Sequence, residues 1–357
     1  MSARPVLIIA GGTGGHVFPA LAVAQVLTGR SVPVVWLGTP NGLEARVVPA
    51  AGLPLETVSV RGLRGNGLIG WLKAPWMVGR AIVQALGVIR RHQPRVVLGM
   101  GGYVAGPGGV AARLRRLPLV IHEQNAIAGL TNRLLSRLAT RVLTGLDAAF
   151  AQGVDAEFTG NPVRTEIADR SAIDSADHGG ALRLLVIGGS LGALSLNRAV
   201  PQAIAALPEA ERPDIRHQAG QSTLDIARGA YADAGVEARI DPFIDDMAEA
   251  YRWCDLVVCR AGALTVSELA AAGVPAILVP FPHAVDDHQT ANARFLVNAG
   301  AARMIADRDL TPDSLAALLS ELLGDRDRLR TMSAAAHQVG RPAAAERVAD
   351  ICMEVAA

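Results

Sequence analysis

Lysine is almost absent from this 357-residue chain: Lys73 is the only one, and arginine carries the rest of the positive charge. A phosphate loop of the Walker type needs a lysine after its glycines and is therefore excluded. Aromatic residues make up 4%, so a core must be built from Val, Leu, Ile and Ala. The three cysteines, Cys254, Cys259 and Cys352, form no CxxC pair. They fit a reducing compartment with buried, inert thiols. No run of about 18 apolar residues occurs, which excludes a membrane-spanning helix. The apolar run from Val6 to Ala10 stops at a glycine loop and reads as a first strand, not a signal peptide. No His and Cys cluster has metal-ligand spacing, so neither a structural nor an essential catalytic metal is expected. Asp307 and Asp309, just before Thr311-Pro312, read as a helix cap.

What the chain has in abundance is apolar surface. Half its residues are hydrophobic and the mean hydropathy is +0.29, enough for one large or two medium domains. The net charge of +1 hides a split: residues 1–160 carry 16 Arg and Lys against 6 Asp and Glu, a balance of +10, and the remainder 18 against 27, a balance of −9. Such asymmetry argues for two domains with different surfaces. A basic N-terminal half suggests an anionic partner: a phosphate-bearing substrate, nucleic acid or an acidic membrane.

Strand-like and helix-like segments alternate throughout, the pattern of βαβ units and parallel sheets. Strands are expected at Val6–Ala10, Val32–Leu37, Leu55–Val60, Val96–Met100, Leu119–Ile121 and Arg141–Thr144, then at Arg183–Ile187, Asp214–Gln218, Ala238–Asp241, Leu256–Cys259 and Ala276–Val279. Helices are expected between them, among them Phe18–Thr28, Trp71–Arg91 and Ile127–Leu138. The last are at Pro312–Leu323, Arg326–Ala335 and Ala343–Val355. VLIIAGGTGG at 6–15 is echoed by LLVIGGSLGA at 184–193, each a strand running into a glycine loop and a helix. Two Rossmann-like α/β domains in tandem follow, with segment 146–180 as linker and a ligand in the cleft between the carboxyl ends of the two sheets. The expected domains are 1–160, 161–340 and a C-terminal helix, 341–357, packing back toward the N-terminal domain.

The glycine loops carry the chemistry. Gly11-Gly12-Thr13-Gly14-Gly15-His16 allows close approach of backbone to phosphate. It is not GxGxxG, and Val35-Trp36-Leu37-Gly38-Thr39 holds no acid for a ribose, which argues against NAD or FAD. His16, at a helix start, fits either a cap or a base near working pH. A third loop, Gly99 to Gly109, again follows a strand. His122-Glu123-Gln124-Asn125 puts four polar residues at a strand end, as a polar loop or as a site, and Arg164 in GNPVR can meet a phosphate. CRAGALTVSELAAAG, 259–273, follows a buried strand with a small-residue loop and a helix N-terminus, an anion-binding arrangement. Thr265 and Glu268 there have capping-box spacing, so Glu268 fits either a cap or a ligand contact.

Taken in order, GGTGGHVFPALAVA, GMGGYVAGPGG, HEQNAIAGLTN, GNPVR, GGSLGA, FIDDM, CRAGALTVSELAAAG and HQTANA span nearly the whole chain. This resembles the MurG family of peptidoglycan glycosyltransferases. The resemblance implies a GT-B fold, two Rossmann-like domains facing each other across a cleft, with acceptor on the N-terminal and donor on the C-terminal one. It implies inverting transfer of GlcNAc from UDP-GlcNAc to the C4 hydroxyl of MurNAc in undecaprenyl-pyrophosphoryl-MurNAc-pentapeptide (lipid I), giving lipid II, with no cofactor and no nucleic acid. Carried over by position, Thr13, Gly14 and Gly15 would lie against the donor diphosphate and sugar. His16 would be the base or orient one, and Asn125 would touch the GlcNAc. Arg164 and Ser190 would bind near the diphosphate, and Ile244 would meet uracil through its backbone. Ala263, Leu264, Thr265, Val266, Ser267 and Glu268 would cradle uridine and phosphate, with Glu268 on the ribose hydroxyls, and Gln289 would hold sugar hydroxyls.

Two positions depart from the family pattern, Leu191 where Gln is common and Ala126 where Gly is common, and the loop at 282–288 varies in length across the family, which bears on Gln289. A lipid acceptor requires a membrane surface. The stretch 68–80, with Trp71, Lys73, Trp76 and Arg80 and with Arg61, Arg64, Arg90 and Arg91 nearby, suits an anionic interface or a core-packed helix with a basic face. The resemblance thus implies a peripheral protein on the cytoplasmic face of the inner membrane, among other cell-wall and division proteins. Another UDP-sugar GT-B enzyme, a UDP-GlcNAc 2-epimerase and a non-catalytic nucleotide-sugar-binding scaffold are the alternatives.

Overall fold

A computed structural model describes residues 4–60, 67–147, 149–150, 152–168, 180–189 and 192–356, with the side chains of 67–73, 168 and 285 outside the described part. It divides into two compact units, residues 1–164 with 342–357, and residues 165–341.

The first unit runs β1 (Val6–Ile9), α1 (Gly14–Gly29), β2 (Val34–Gly38), α2 (Glu44–Ala50), β3 (Leu55–Thr57), α3 (Gly67–His92), β4 (Val96–Gly99), α4 (Ala105–Leu114), β5 (Leu119–Glu123), α5 (Leu130–Leu135), β6 (Arg141–Thr144) and β7 (Ala156–Phe158). Its described strands form one parallel sheet in the order β3-β2-β1-β4-β5-β6-β7. Strand order reverses between β1 and β4, where Ile9 lies opposite Gly99. The helices that follow these two strands, α1 and α4, pack on opposite faces of the sheet, the arrangement that in such folds puts ligands at the carboxyl edge. The four-residue strands VLII and VVLG are buried on both faces, as a sheet covered by helices requires.

The second unit runs α6 (Thr165–Ala168), β8 (Arg183–Ile187), α7 (Leu194–Ala205), β9 (Asp214–Gln218), α8 (Leu224–Ala234), β10 (Arg239–Asp241), α9 (Met247–Trp253), β11 (Leu256–Cys259), α10 (Ala263–Ala272), β12 (Ala276–Leu278), α11 (His288–Asn298), β13 (Ala302–Met304), α12 (Pro312–Leu323) and α13 (Arg326–Val339). Its sheet order, β10-β9-β8-β11-β12-β13, is again parallel and reverses at β8 and β11. The sequence echo between 6–15 and 184–193 is therefore a repeat of the same switch-point strand and loop.

The final helix, α14 (Ala344–Glu354), belongs to the first unit. Its Val348, Ala349, Ile351 and Cys352 are buried in one cluster with Leu21, Val23 and Ala24 of α1 and Ile8 of β1. Arg347 also donates to Glu157 of β7 at 2.8 Å. Burial pushes the Cys352 thiol up to about 12, so it stays protonated as one more core side chain.

Three expectations are corrected here. Residues 146–160 are not linker: Ala156–Phe158 is the edge strand of the first sheet. The structure also has β13 at Ala302–Met304, with no counterpart among the expected strands. Both strands have three residues with a charged one in the middle, Glu157 and Arg303, and so give no apolar run to read. Helix α5 holds six residues instead of the twelve from Ile127 to Leu138, because Glu123 binds the backbone of Gly129 and ends the preceding loop there.

Candidate active site

In the first unit the carboxyl ends of β1 and β4 are locked together by backbone. Gly102 has φ +77 and sits so close to Gly11 that a Cβ would lie 2.3 Å from the Gly11 carbonyl oxygen. Gly101, φ +96, lies beneath the His16 ring, where a Cβ would fall 2.6 Å from Cδ2. Only glycine tolerates both the conformation and the approach. The Trp36 indole donates to Ala10 O at 2.9 Å, which fixes the start of the loop. Glu44, fully buried, fixes its middle by accepting from Gly12 N (3.1 Å), Thr39 N (2.9 Å) and Thr39 Oγ1 (2.6 Å). Sequence reading gave Glu44 no role, because a lone acid in NGLEARV shows no sign of turning back to the sheet.

Helix α1 begins at Gly14, four residues before the expected Phe18, so His16 lies in its first turn. His16 Nδ1 is 3.2 Å from Thr13 Oγ1. In the tautomer with hydrogen on Nδ1, the ring donates to Thr13 and Nε2 keeps its lone pair, the form that a base requires. No side chain caps α1, α4, α7 or α10, the helices that follow the switch-point strands. Asp246, Thr311 and Asp325 do cap α9, α12 and α13. The uncapped starts keep N–H donors and the positive end of the dipole for an anion.

At the end of β5 the four polar residues take part in one buried hydrogen-bond network. Glu123 Oε1 accepts from Asn125 N (3.0 Å) and Asn125 Nδ2 (3.2 Å). Its Oε2 accepts from Gly129 N (3.0 Å) and Asn132 Nδ2 (3.0 Å). With four lone-pair positions engaged, Glu123 is a loop-building carboxylate and a poor base. Burial lowers His122 to about 4, so the ring is neutral. Nε2–H then donates to Gly160 O (3.0 Å), and Nδ1 accepts from the Gln124 amide (3.1 Å). Asn161 Nδ2 donates to Gln124 O (3.0 Å). The GNPVR segment is thus pinned to this strand end, and half-buried Arg164 follows from it.

In the second unit, α10 starts at Ala263 with Gly262 as N-cap. Thr265 is therefore inside the first turn and no capping box forms. Glu268 lies in the second turn, 7% exposed, and accepts from the Tyr251 hydroxyl at 3.0 Å. Gln289 Oε1 accepts from Ala261 N (3.2 Å) and Phe281 N (2.9 Å), which ties α11 to the loop before α10. Ile244 is buried just ahead of α9. Asp307 is no cap: it binds Arg260 Nη1 (2.5 Å) and Ser195 Oγ (2.7 Å), and Thr311 with Ser314 caps α12 instead. Ser190 and Leu191 lie outside the described residues. The structure thus gathers Thr13 to His16 with Asn125 and Arg164 in one unit, and Ala263 to Glu268 with Gln289 in the other.

The buried histidines predict a pH dependence of stability. His122 falls to about 4 and His217 to about 3, both through burial, below the ordinary 6.5. The unfolded chain therefore binds more protons, and stability is full above pH 6.5 and is lost as pH falls. At pH 5 each histidine costs roughly 2 kcal/mol. Denaturant midpoints at pH 7.5 and pH 5 check this; equal midpoints would contradict it.

The first unit also exposes apolar side chains on three neighbouring helices. Trp76 (71% exposed) and Val83 (68%) are on α3, Leu114 (63%) ends α4, and Leu130 (54%) and Leu134 (57%) are on α5. Arg80 lies 5.7 Å from the Trp76 ring centroid. Among the described residues no helix is long and apolar enough to cross a membrane. Of the expected interfacial residues, Arg61 and Arg64 and the side chains of Trp71 and Lys73 lie outside the described part.

The sequence matches the glycosyltransferase family 28 N-terminal domain over residues 6–144 and the family's C-terminal domain over residues 183–348. It is 62% identical, over 99% of both chains, to the UDP-N-acetylglucosamine–N-acetylmuramyl-(pentapeptide) pyrophosphoryl-undecaprenol N-acetylglucosamine transferase of Alkalilimnicola ehrlichii. The enzyme of the same name from Halorhodospira halophila is 57% identical, with 100% of this chain and 99% of that one covered. The crystal structure of Acinetobacter baumannii MurG superposes with a TM-score of 0.85 at 41% identity, over 98% of this chain and 99% of that one. With both family domains matched in order on two parallel α/β units of Rossmann strand order, the chain belongs to glycosyltransferase family 28 and has the GT-B fold.

Proposed function

We propose that the chain transfers GlcNAc from UDP-GlcNAc to the C4 hydroxyl of MurNAc in undecaprenyl-pyrophosphoryl-MurNAc-pentapeptide, giving lipid II with inversion at the anomeric carbon. The observation that carries this reading is the near-complete 62% match to a transferase of that name, and the uncapped helix starts at both switch points agree with it.

Inversion needs one displacement. His16 Nε2 takes the proton from the acceptor hydroxyl as its oxygen bonds to the anomeric carbon. The bond from that carbon to the diphosphate oxygen breaks, and its electron pair leaves with UDP. The leaving charge is met by amide donors at the start of α10, together with Ser190 and the guanidinium of Arg164. Thr13, Gly14 and Gly15 offer backbone to the diphosphate and sugar. Asn125, shaped by Glu123, touches the GlcNAc. Ile244 meets uracil through its backbone. Ala263 to Ser267 cradle uridine and phosphate, Glu268 holds the ribose hydroxyls, and Gln289 is the contact for sugar hydroxyls. UDP release by the purified chain, measured with UDP-GlcNAc and a short-chain lipid I analogue, tests the reading. Release should depend on the acceptor; a folded chain that binds UDP-GlcNAc yet releases no UDP would contradict it.

The acceptor's lipid requires docking at a bilayer, and the exposed side chains of α3, α4 and α5 with their arginines suit the cytoplasmic face of the inner membrane. Trp and Leu enter the headgroup region while Arg80, Arg133 and Arg137 meet anionic lipid. Trp76→Ser combined with Leu134→Ser should weaken binding to phosphatidylglycerol vesicles by at least about tenfold, from the apolar area withdrawn. Unchanged cosedimentation with such vesicles would remove α3 and α5 from the docking surface.

A further inference from the structure

Glu268 is a long side chain with three rotatable bonds, and a carboxylate grips a vicinal diol only when its plane is held. What holds it lies on another helix. Tyr251 of α9 is 3% exposed, and its hydroxyl donates to Glu268 Oε2 at 3.0 Å. A phenol has one hydrogen to give, and Glu268 takes it. Burial and the neighbouring Glu268 charge push the Tyr251 hydroxyl well above its ordinary range, so it remains a donor throughout the pH range of activity.

Helix α9 is itself anchored. Asp246 Oδ1 accepts from Glu249 N at 2.8 Å and caps the helix. Arg216 of β9 binds Glu249 at 2.6 Å, and its guanidinium carbon lies 5.3 Å from the Trp253 ring centroid. Sheet, α9, Tyr251 and Glu268 therefore form one connected chain of contacts, which ends on a carboxylate near the start of α10. A donor already fixed by packing lowers the rotamer entropy that Glu268 loses when a ligand arrives.

We propose that Tyr251 is a positioning residue that fixes the Glu268 carboxylate for the ribose 2′- and 3′-hydroxyls, and so sets the preference for ribonucleotide over deoxyribonucleotide donors. This rests on the reading of Glu268 as the ribose contact. Its consequence is selectivity: a site built to bind a hydroxyl rejects the analogue that lacks it, provided the acceptor atom is held in place. Tyr251 touches no substrate in this account and acts only through Glu268.

The test is calorimetric binding of UDP and of 2′-deoxy-UDP to wild type, Tyr251→Phe, Glu268→Ala and the double variant. Phe keeps the ring that fills the buried position. Tyr251→Phe should weaken UDP binding about tenfold and 2′-deoxy-UDP binding much less, while kcat at saturating donor stays within about twofold. In the Glu268→Ala background the Phe substitution should change nothing. An equal loss for both nucleotides, an undiminished loss without Glu268, or no loss at all would each overturn the positioning role. If Glu268→Ala still prefers UDP to 2′-deoxy-UDP as strongly as wild type, the ribose reading itself fails, and the proposal with it. Glu268→Gln serves should Tyr251→Phe not fold. With Tyr251 holding the amide oxygen, its NH₂ faces the diol and selectivity should drop; wild-type selectivity in Glu268→Gln would overturn the lock.

Discussion

Replacing His16 with alanine should lower the transfer rate at least about 100-fold, the lower range for loss of a positioned base, while UDP binding stays near wild type. The structure argues for so large an effect because His16 is held on two sides. Its ring rests on Gly101, where no other residue fits, and its Nδ1 faces Thr13 Oγ1 at 3.2 Å. In the tautomer with hydrogen on Nδ1, that contact leaves Nε2 able to accept a proton. No rival base stands at the end of β5: the oxygens of Glu123 are occupied by four N–H groups, and His122 is buried between Gly160 and Gln124. In the proposed reading the uridine contacts, Ala263 to Glu268, belong to the second unit, so loss of His16 leaves them in place. Steady-state kinetics with UDP calorimetry check the split. A fall in UDP affinity equal to the fall in rate would return His16 to a structural role.

The second large effect is expected from Glu123→Gln, a change of one atom. The carboxylate offers two oxygens to four donors. The amide presents NH₂ toward two of those donors in either orientation. Donor then faces donor in a position 3% exposed, at a cost of roughly 2–4 kcal/mol. The strain falls on the turn that carries Asn125 and starts α5. Transfer should therefore drop about 100-fold or more, and the denaturation midpoint should fall as well. Loss of activity with an unchanged midpoint would mean that Glu123 acts on the substrate directly and not through the loop.

The sequence exposes most of the architecture, for a physical reason. Strands buried on both faces must be continuous apolar runs, and VLII, VVLG, RLLVI and LVVC stand out on that account. The glycine loops are legible because close backbone approach leaves no other residue type available. Edge strands β7 and β13 are not legible, since a half-exposed strand of three residues needs no apolar run. The capping-box spacing of Thr265 and Glu268 misleads, because the same interval occurs one helical turn further in when a glycine makes the N-cap. Asp307 misleads likewise: acids before a helix suggest a cap, and nothing local announces Arg260 as its partner. Glu44 and Tyr251 escape a reading by motif altogether, because the loop glycine that Glu44 holds, Gly12, and the carboxylate that Tyr251 holds, Glu268, lie 32 and 17 residues away in sequence. Only the folded sheet and its helices bring them to the loops they support.

Sugar transfer by one displacement leaves a stereochemical signature in the product. The measurement that tests it most directly is a reaction of isotopically labelled UDP-GlcNAc with a short-chain lipid I analogue, with the product's new glycosidic bond read by NMR. The expected product is a disaccharide-linked lipid with a β bond from the α-linked donor, formed by wild type and suppressed in His16→Ala. Retained α configuration, or free GlcNAc without coupled product from a folded chain that binds UDP, would contradict it.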